Sequence, residues 1–198
     1  MKTALLCTFL LWAAGTAAAQ VAVGQPAPAF SATDTSGKTV SLASFKGRHV
    51  VLEWVNPGCP YVQRHYSGAH MQGKQKDAAA KGVVWLAINS TSSEHGDYLQ
   101  PAALGDWMKA HKAAASATLM DSEGRIGRAY GARTTPHLFI VNPAGTLVYA
   151  GAVDDKPSGD AARATNHVQQ ALDDSLAGKP VATATTRPYG CSVKYSAG

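Results

Sequence analysis

The sequence predicts an α/β fold: a central mixed sheet flanked by helices, preceded by an N-terminal hairpin and followed by an extended C-terminal tail. Three observations carry this expectation. Two apolar, β-branched runs at 49–55 and 83–89 read as interior strands. Helical stretches between and after them open on Pro60 and Pro101 and stop at Gly82, Gly131 and Gly178, matching the preference for proline at helix starts and glycine just past helix ends. Finally, Asn142-Pro143-Ala144-Gly145 joins two further apolar runs and reads as a hairpin turn.

Each element has a local reason. Residues 30–42 hold two short extended pieces around Asp34-Thr35-Ser36-Gly37-Lys38, a hairpin turn. The strand at 49–55 feeds a helix from 60 to about 80. The strand at 83–89 is followed by a polar loop over 90–100 and a helix from 101 to about 114. A short helix spans 125–130, strands cover 136–141 and 146–150, and a final helix covers 161–177. Residues 179–198, rich in Thr, Pro and small residues, form the tail. Parallel strands joined by helical crossovers require a sheet covered on both faces.

Residues 1–19 read as a secretory signal peptide. Lys2 precedes an apolar run over 4–14, and Ala17-Ala18-Ala19 supplies a small-residue cleavage site. The run is short of the roughly 20 residues a membrane span takes. An uncleaved anchor is the competing reading. The expectation is a secreted or periplasmic protein with no stable membrane insertion after cleavage. Domain organisation follows as leader 1–19, one domain over 20–178, and tail 179–198. Cleavage discards Cys7 and leaves Cys59 and Cys191, too few for a disulfide-dependent scaffold.

Apolar content of 45% supports a buried core rather than a disordered chain. The formal charge of +5 falls to +4 without Lys2, and the basic residues are scattered among acids. That excludes the basic stripe of a nucleic-acid binder. No glycine-rich phosphate loop or dinucleotide fingerprint occurs, so no cofactor is expected. His65, His70, Met71, His95 and His137 match no metal-ligand spacing, so no metal is expected and these histidines read as surface or capping groups.

Cys59 is the residue that carries chemistry. An apolar strand delivers it to a turn, and Pro60 behind it marks a helix start, which puts Cys59 at the N-cap. Unpaired backbone N–H groups and the positive dipole end stabilise a thiolate there. A thiol that titrates near ~8.5 when unperturbed falls to roughly 3.5–7.5 at such positions. Arg64 and His65 follow and would add positive charge. The competing reading is a buried structural cysteine.

Asn56-Pro57-Gly58-Cys59-Pro60-Tyr61-Val62, Ala87-Ile88-Asn89-Ser90, Ala129-Tyr130-Gly131-Ala132-Arg133-Thr134-Thr135-Pro136, Asn142-Pro143-Ala144-Gly145-Thr146-Leu147-Val148-Tyr149 and Arg187-Pro188-Tyr189-Gly190-Cys191-Ser192-Val193-Lys194 occur in that order. Together they resemble the peroxiredoxin-like redoxins (AhpC/TSA-type) of the thioredoxin superfamily. The element order is that of the thioredoxin fold with an added N-terminal hairpin and a middle insertion. The resemblance implies that Cys59 is the reactive cysteine and that Thr135-Pro136 is a cis-proline loop beside it, offering backbone groups to a thiol partner. It also implies antioxidant or disulfide-exchange enzymes whose partners are thiol or disulfide proteins, and peroxide.

The chain departs from the best-known relatives in two ways. A thioredoxin C-x-x-C is missing, since Val62 and Asn56 stand three residues either side of Cys59. The peroxiredoxin P-x-x-x-[ST]-x-x-C is missing too, because Leu52 and Asn56 hold the Pro and Thr positions. Arg125, Arg128 and Arg133 are left without an assigned role. Cys191 follows a stretch containing Gly178, Pro180, Pro188 and Gly190, which would let it swing to Cys59 as a resolving thiol. A permanent Cys59–Cys191 tether and a free tail thiol remain alternatives. Glu53, on the strand face shared by Val51 and Val55, is either a proton shuttle or a salt-bridged or edge-facing acid. The functional expectation is an exported thiol-dependent oxidoreductase using Cys59, Cys191, Glu53, Thr135 and Pro136. Its alternative is a non-catalytic binding or metal-handling protein on the same fold.

Overall fold

A computed structural model describes residues 21–159 and 163–197. The leader assigned to residues 1–19 lies outside them. Strands β1 (Ser31–Thr33) and β2 (Thr39–Ser41) form the expected antiparallel hairpin. The Asp34 carboxylate holds the turn by accepting from the backbone N–H groups of Ser36 and Lys38 at 2.8 and 2.9 Å.

The main sheet has five strands: β3 (Val50–Trp54), β4 (Val84–Asn89), β5 (Ala117–Met120), β7 (His137–Val141) and β8 (Leu147–Gly151). Their order is β5-β4-β3-β7-β8. β3 runs parallel to β4, and β4 to β5, while β7 is antiparallel to both β3 and β8. β3 is therefore central, and every residue of β3, β4 and β7 is buried, as a sheet covered on both faces demands. Alternation along β3 sends Val51 and Val55 to a core shared with Trp85, Leu138, Ile140 and Tyr149. It sends Val50, Leu52 and Trp54 to a second core with Leu86, Ile88 and Phe139. In the second, the Trp54 ring lies 5.0 Å from Phe139 and 5.8 Å from Tyr130, centre to centre.

Helices α1 (Pro60–Ser67), α2 (His70–Ala80), α3 (Pro101–Ala110) and α5 (His167–Leu176) supply Val62, Tyr66, Met71, Leu104 and Leu172 to the first core. Helix α4 (Arg125–Tyr130) covers the other face together with the N-terminal segment.

The structure corrects the expected elements in five places. The helix expected over 60–80 is two helices, broken where Ala69 takes a left-handed φ of 57°. Ser67 and Gly68, weak helix formers, precede the break. A side chain at Gly68 would meet the His70 ring, whose Nε2 lies 2.6 Å from where a Cβ would stand. The helix expected to reach 114 ends at Ala110, and Lys112 turns the chain with φ 53°. β5 was not expected at all. It is a four-residue edge strand whose outer side is met by the hairpin, Thr35 N–H donating to Thr118 O at 2.9 Å. The last helix, expected from 161, begins at His167, because Asn166 caps it by accepting from Gln169 N–H at 3.1 Å; residues 161 and 162 of the expected span lie outside the described residues.

The tail is the fifth correction. It is not a free arm but is stitched to the domain on both sides of Cys191. Thr186 N–H donates to Ala150 O at 3.2 Å, and Ala152 N–H donates to Thr186 Oγ1 at 2.8 Å. Further on, Val193 N–H donates to Arg133 O at 3.0 Å, and Ser92 N–H to Lys194 O at 2.7 Å. Between these, β9 (Cys191–Ser192) pairs antiparallel with β6 (Thr134–Thr135). Among the described residues, no helix is long and apolar enough to cross a membrane.

Asn166→Ala removes the α5 cap and is expected to lower unfolding stability by about 1 kcal/mol, with Asn166→Asp nearly neutral. Urea midpoints of the two variants check this; equal midpoints would show that the cap does not set where α5 starts.

Candidate active site

The turn that presents Cys59 is built by Asn56, itself buried. Its side-chain oxygen accepts from Gly58 N–H at 2.8 Å, and its backbone carbonyl accepts from Cys59 N–H at 3.0 Å. Asn56 Nδ2 donates to Asp97 at 3.2 Å, so the amide faces the turn and the loop after β4. Cys59 is the N-cap of α1 in extended conformation (φ −86°, ψ 120°), with Pro60 directly behind it. The first helical hydrogen bond, Gln63 N–H to Cys59 O, measures 3.0 Å. The strand-to-helix placement expected for Cys59 is the one found.

Cys59 is only 1% exposed and belongs to the first core. Its sulfur lies 3.0 Å from the Thr135 carbonyl oxygen, and the Thr135–Pro136 peptide is cis. The β6–β9 register sets Thr135 opposite Cys191, and Cys59 and Cys191 are joined by a disulfide with their Cα atoms 5.9 Å apart. Cys191 is half-buried, so it is the more exposed residue of the pair. The Thr135 hydroxyl is buried beside them without a hydrogen-bond partner. Four of the five expected site residues, Cys59, Cys191, Thr135 and Pro136, thus form one cluster.

Glu53 makes none of its hydrogen bonds to that cluster. It is fully buried on the central strand rather than at an edge, and among the described residues it forms no salt bridge. Its carboxyl accepts from Trp85 Nε1 at 2.7 Å, Tyr66 Oη at 2.9 Å and Gln75 Nε2 at 3.1 Å, and none of these partners is Cys59. Burial pushes its pKa up to about 7, against the pull of the Trp85, Tyr66 and Gln75 hydrogen bonds and the nearby Lys74. The carboxyl therefore exchanges its proton near neutrality, linked to α1 through Tyr66.

A second polar cluster lies under the tail, and it includes Asp154, which the sequence suggests for the positive end of the last helix but which instead accepts from Tyr189 and Lys156. The Tyr189 hydroxyl donates to Asp154 Oδ1 at 2.5 Å and lies 3.0 Å from His65 Nε2. Because Tyr189 donates its proton to the carboxylate, His65 donates in turn to the phenol oxygen. His65 is 0% and Asp154 2% exposed. Burial depresses the His65 pKa to about 4, despite the adjacent Asp154, so His65 is neutral at pH 7 and does not lend Cys59 positive charge. Arg64 also turns away, donating to the carbonyls of Lys156 and Gly159 at 2.8 and 3.1 Å. Arg125 pairs with Glu123, and Arg128 lies over the Tyr195 ring, 4.6 Å from its centre. The histidine at 65 is thus neither a surface nor a capping group but a buried hydrogen-bond donor. Its partners arrive 89 and 124 residues later in the chain, beyond any local signal. Among the described residues, no three His, Cys, Asp or Glu side chains gather as a metal site.

The family model described as "AhpC/TSA family" matches residues 23–150, about two thirds of the chain, and spans Glu53, Cys59, Thr135 and Pro136. This chain belongs to the AhpC/TSA family. The AhpC/TSA match ends before α5 and the tail, so Cys191 lies outside it. A curated relative, the thiol-disulfide oxidoreductase ResA of Bacillus subtilis (strain 168), is 26% identical over 65% of this chain and 66% of its own length, just under two thirds. The crystal structure of a hypothetical protein from Sinorhizobium meliloti 1021 is 27% identical and superposes with a TM-score of 0.81 over 91% of this chain and 98% of that one. The thioredoxin domain of a thiol-disulfide oxidoreductase from Bacteroides vulgatus, 23% identical, matches with a TM-score of 0.51 over 66% of this chain and 89% of that one. The fold is thioredoxin-like.

Glu53 gives the domain a pH signature. Its ordinary pKa of 4.5 in the unfolded chain lies below the folded value of about 7, so the folded state holds the extra proton between them. Stability contributed here is full below pH 4.5, falls as pH rises through that window, and is flat above it, a loss of about 3 kcal/mol. Glu53→Gln is expected to flatten the melting temperature across that window. An unchanged slope in the variant would assign the dependence to another group.

Proposed function

We propose that this chain is an exported thiol–disulfide oxidoreductase in which Cys59 is the nucleophile and Cys191 the resolving thiol, the oxidised state being the one drawn here. The observation that carries the reading is the Cys59–Cys191 bond lying against Thr135-Pro136 at the start of α1. Family membership and the name of the B. subtilis relative support it. The leader at 1–19 supports export, and an extracytoplasmic compartment is where such a bond persists.

In the reductive half, a donor thiolate attacks Cys191, the more exposed cysteine. The Cys59–Cys191 bond breaks, and Cys59 leaves as a thiolate stabilised by the N–H groups at the start of α1. A second donor thiol attacks the donor–Cys191 disulfide, releasing Cys191 and leaving the donor oxidised. In the oxidative half, the Cys59 thiolate attacks a substrate disulfide and expels one substrate thiolate. Cys191 then attacks Cys59, expels the second, and closes the ring again. Glu53 serves as a proton store near neutral pH, reached through Tyr66. The partners are thiol and disulfide proteins, and no organic cofactor or metal enters the balance.

Peroxide is the other oxidant to consider, attacked by Cys59 to give a sulfenic acid that Cys191 condenses to the same disulfide with loss of water. Leu52 and Asn56 bring no hydroxyl to that step, and the Asn56 side chain is committed to Gly58 and Asp97. Disulfide exchange is the better-supported activity.

Cys191→Ser is expected to trap a mixed disulfide between Cys59 and a disulfide-bonded substrate protein, one substrate thiolate being expelled and no resolving thiol remaining, visible by mass spectrometry, while Cys59→Ser traps none through residue 59. Finding no adduct on Cys59 under any oxidant would sink the assignment. Reduced wild-type protein that regains its bond with peroxide no faster than free cysteine oxidises confines the activity to disulfide exchange.

A further inference from the structure

The segment bound at the Cys59 sulfur is read by the domain at three consecutive residues. Cys191 is bonded to Cys59 and aligned opposite Thr135 in an antiparallel pair. Gly190, one residue earlier, runs across the loop at φ 133°. A Cβ there would fall on the Thr135 carbonyl oxygen, 2.8 Å from its carbon and 3.3 Å from Pro136 N. Both the backbone angle and the wall exclude a side chain. Tyr189, one residue earlier again, sets its hydroxyl between His65 and Asp154 and its ring 5.8 Å from Tyr61. His65 Nδ1 and Asp154 Oδ2 are buried without hydrogen-bond partners, so the hydroxyl already leaves this pocket under-satisfied and its removal would also strand His65 Nε2, Asp154 Oδ1 keeping only Lys156 N–H at 3.0 Å. Along the same segment runs an open cleft of about 660 Å³, lined by Asp154, His167, Arg187, Tyr189 and Gly190.

We propose that this groove, filled here by the chain's own residues 189–192, is where a partner protein's cysteine segment binds, and that it selects a cysteine preceded by glycine and, before that, by tyrosine. The inference rests on Cys59 being an exchanging thiol. A substrate cysteine attacked by Cys59 takes the place of Cys191, and its flanking backbone pairs with β6 as β9 does. The glycine position is then steric, because a larger residue meets the Thr135 carbonyl. The tyrosine position is polar, because a buried site built to hydrogen-bond a hydroxyl rejects the analogue that lacks it. The tail is the groove's resident occupant, and a partner of the same pattern displaces it.

The test uses the full chain carrying Cys7→Ser, Tyr189→Ser and Cys191→Ser, in which Cys59 is the sole thiol and the tail has lost both the disulfide and the tyrosine. Tetrapeptides Tyr-Gly-Cys-Ser, Phe-Gly-Cys-Ser and Tyr-Ala-Cys-Ser are each presented as the mixed disulfide with 5-thio-2-nitrobenzoate. The Cys59 thiolate attacks the peptide sulfur and releases the coloured aryl thiolate, one per mixed disulfide formed, so the rate is read directly. Tyr-Gly-Cys-Ser is expected to react roughly tenfold or more faster than either other peptide, from the loss of one buried charge-assisted hydrogen bond or from the steric block. His65→Leu added to the chain is expected to erase the Tyr-over-Phe preference and keep the Gly-over-Ala one. Should the triple variant not fold, Cys7→Ser/Cys191→Ser alone is expected to give the same order with a narrower spread, since Tyr189 then competes.

Equal rates for the three peptides, with brisk reaction of the bare nitrobenzoate disulfide, would overturn the groove and leave Cys59 as an exchanging thiol. No reaction with the bare disulfide either would remove the exchange chemistry and the groove with it.

Discussion

One covalent closure organises the molecule: the bond from Cys59 to Cys191, which ties the start of α1 to a tail 132 residues further on. A crosslink of that span restricts the unfolded chain by about 5 kcal/mol in the loop-entropy picture. The hydrogen bonds that stitch Thr186, Val193 and Lys194 to the domain are each worth about 0.5–1.5 kcal/mol net. A handful of them is comparable to the crosslink, not much larger. Opening the bond therefore moves the tail from firmly held to marginally held, while the two cores on either face of the sheet are left intact. The redox state acts on the tail, and the domain is the platform it acts against.

That platform keeps charge away from the sulfur. Desolvation drives His65 and Glu53 toward their neutral forms, His65 by losing its proton and Glu53 by keeping one to about pH 7. Arg64 turns its Nε and Nη1 donors to the loop carbonyls at 159 and 156. The electrostatic support for a Cys59 thiolate comes from the N–H groups and dipole of α1, not from a side-chain cation. The opposing element is the Thr135 carbonyl at 3.0 Å, which would accept from a thiol and repel a thiolate. A group balanced between those two neighbours has reason to pass its charge on to a disulfide bond rather than hold it.

The sequence was legible where the determinants are local. Pro60 after an apolar strand announced the Cys59 N-cap, and alternation along β3 put Glu53 opposite Leu52 and Trp54. The cis loop at Thr135-Pro136 was reachable through family resemblance alone. Elements went unread where they depend on distant partners. β5 exists because β4 pairs it on one side and the hairpin meets it on the other. The break at Ala69 turns on a left-handed backbone residue with no glycine at that position to mark it. The tail reads as flexible from its Gly and Pro content, yet it is docked, because its partners Ala150, Arg133 and Ser92 come from three separate parts of the chain. His65, Asp154 and Tyr189 could not be grouped for the same reason.

The burial of Cys59 looks at first like an argument against reactivity, and the asymmetry of the pair removes it. An incoming thiolate does not need to reach Cys59 when Cys191, half-exposed on the two-residue β9, offers the other end of the same bond. Exchange is faster when the departing sulfur is the better leaving group, and the departing sulfur here is the one at the helix start. What burial then controls is the return step. In the proposed cycle Cys59 meets a substrate only when Cys191 and Gly190 have left the Thr135 carbonyl, so the segment that completes that cycle also decides when it begins. A free cysteine on the surface would react with any disulfide that diffused past. One held beneath a fitted strand reacts with those that can take the strand's place.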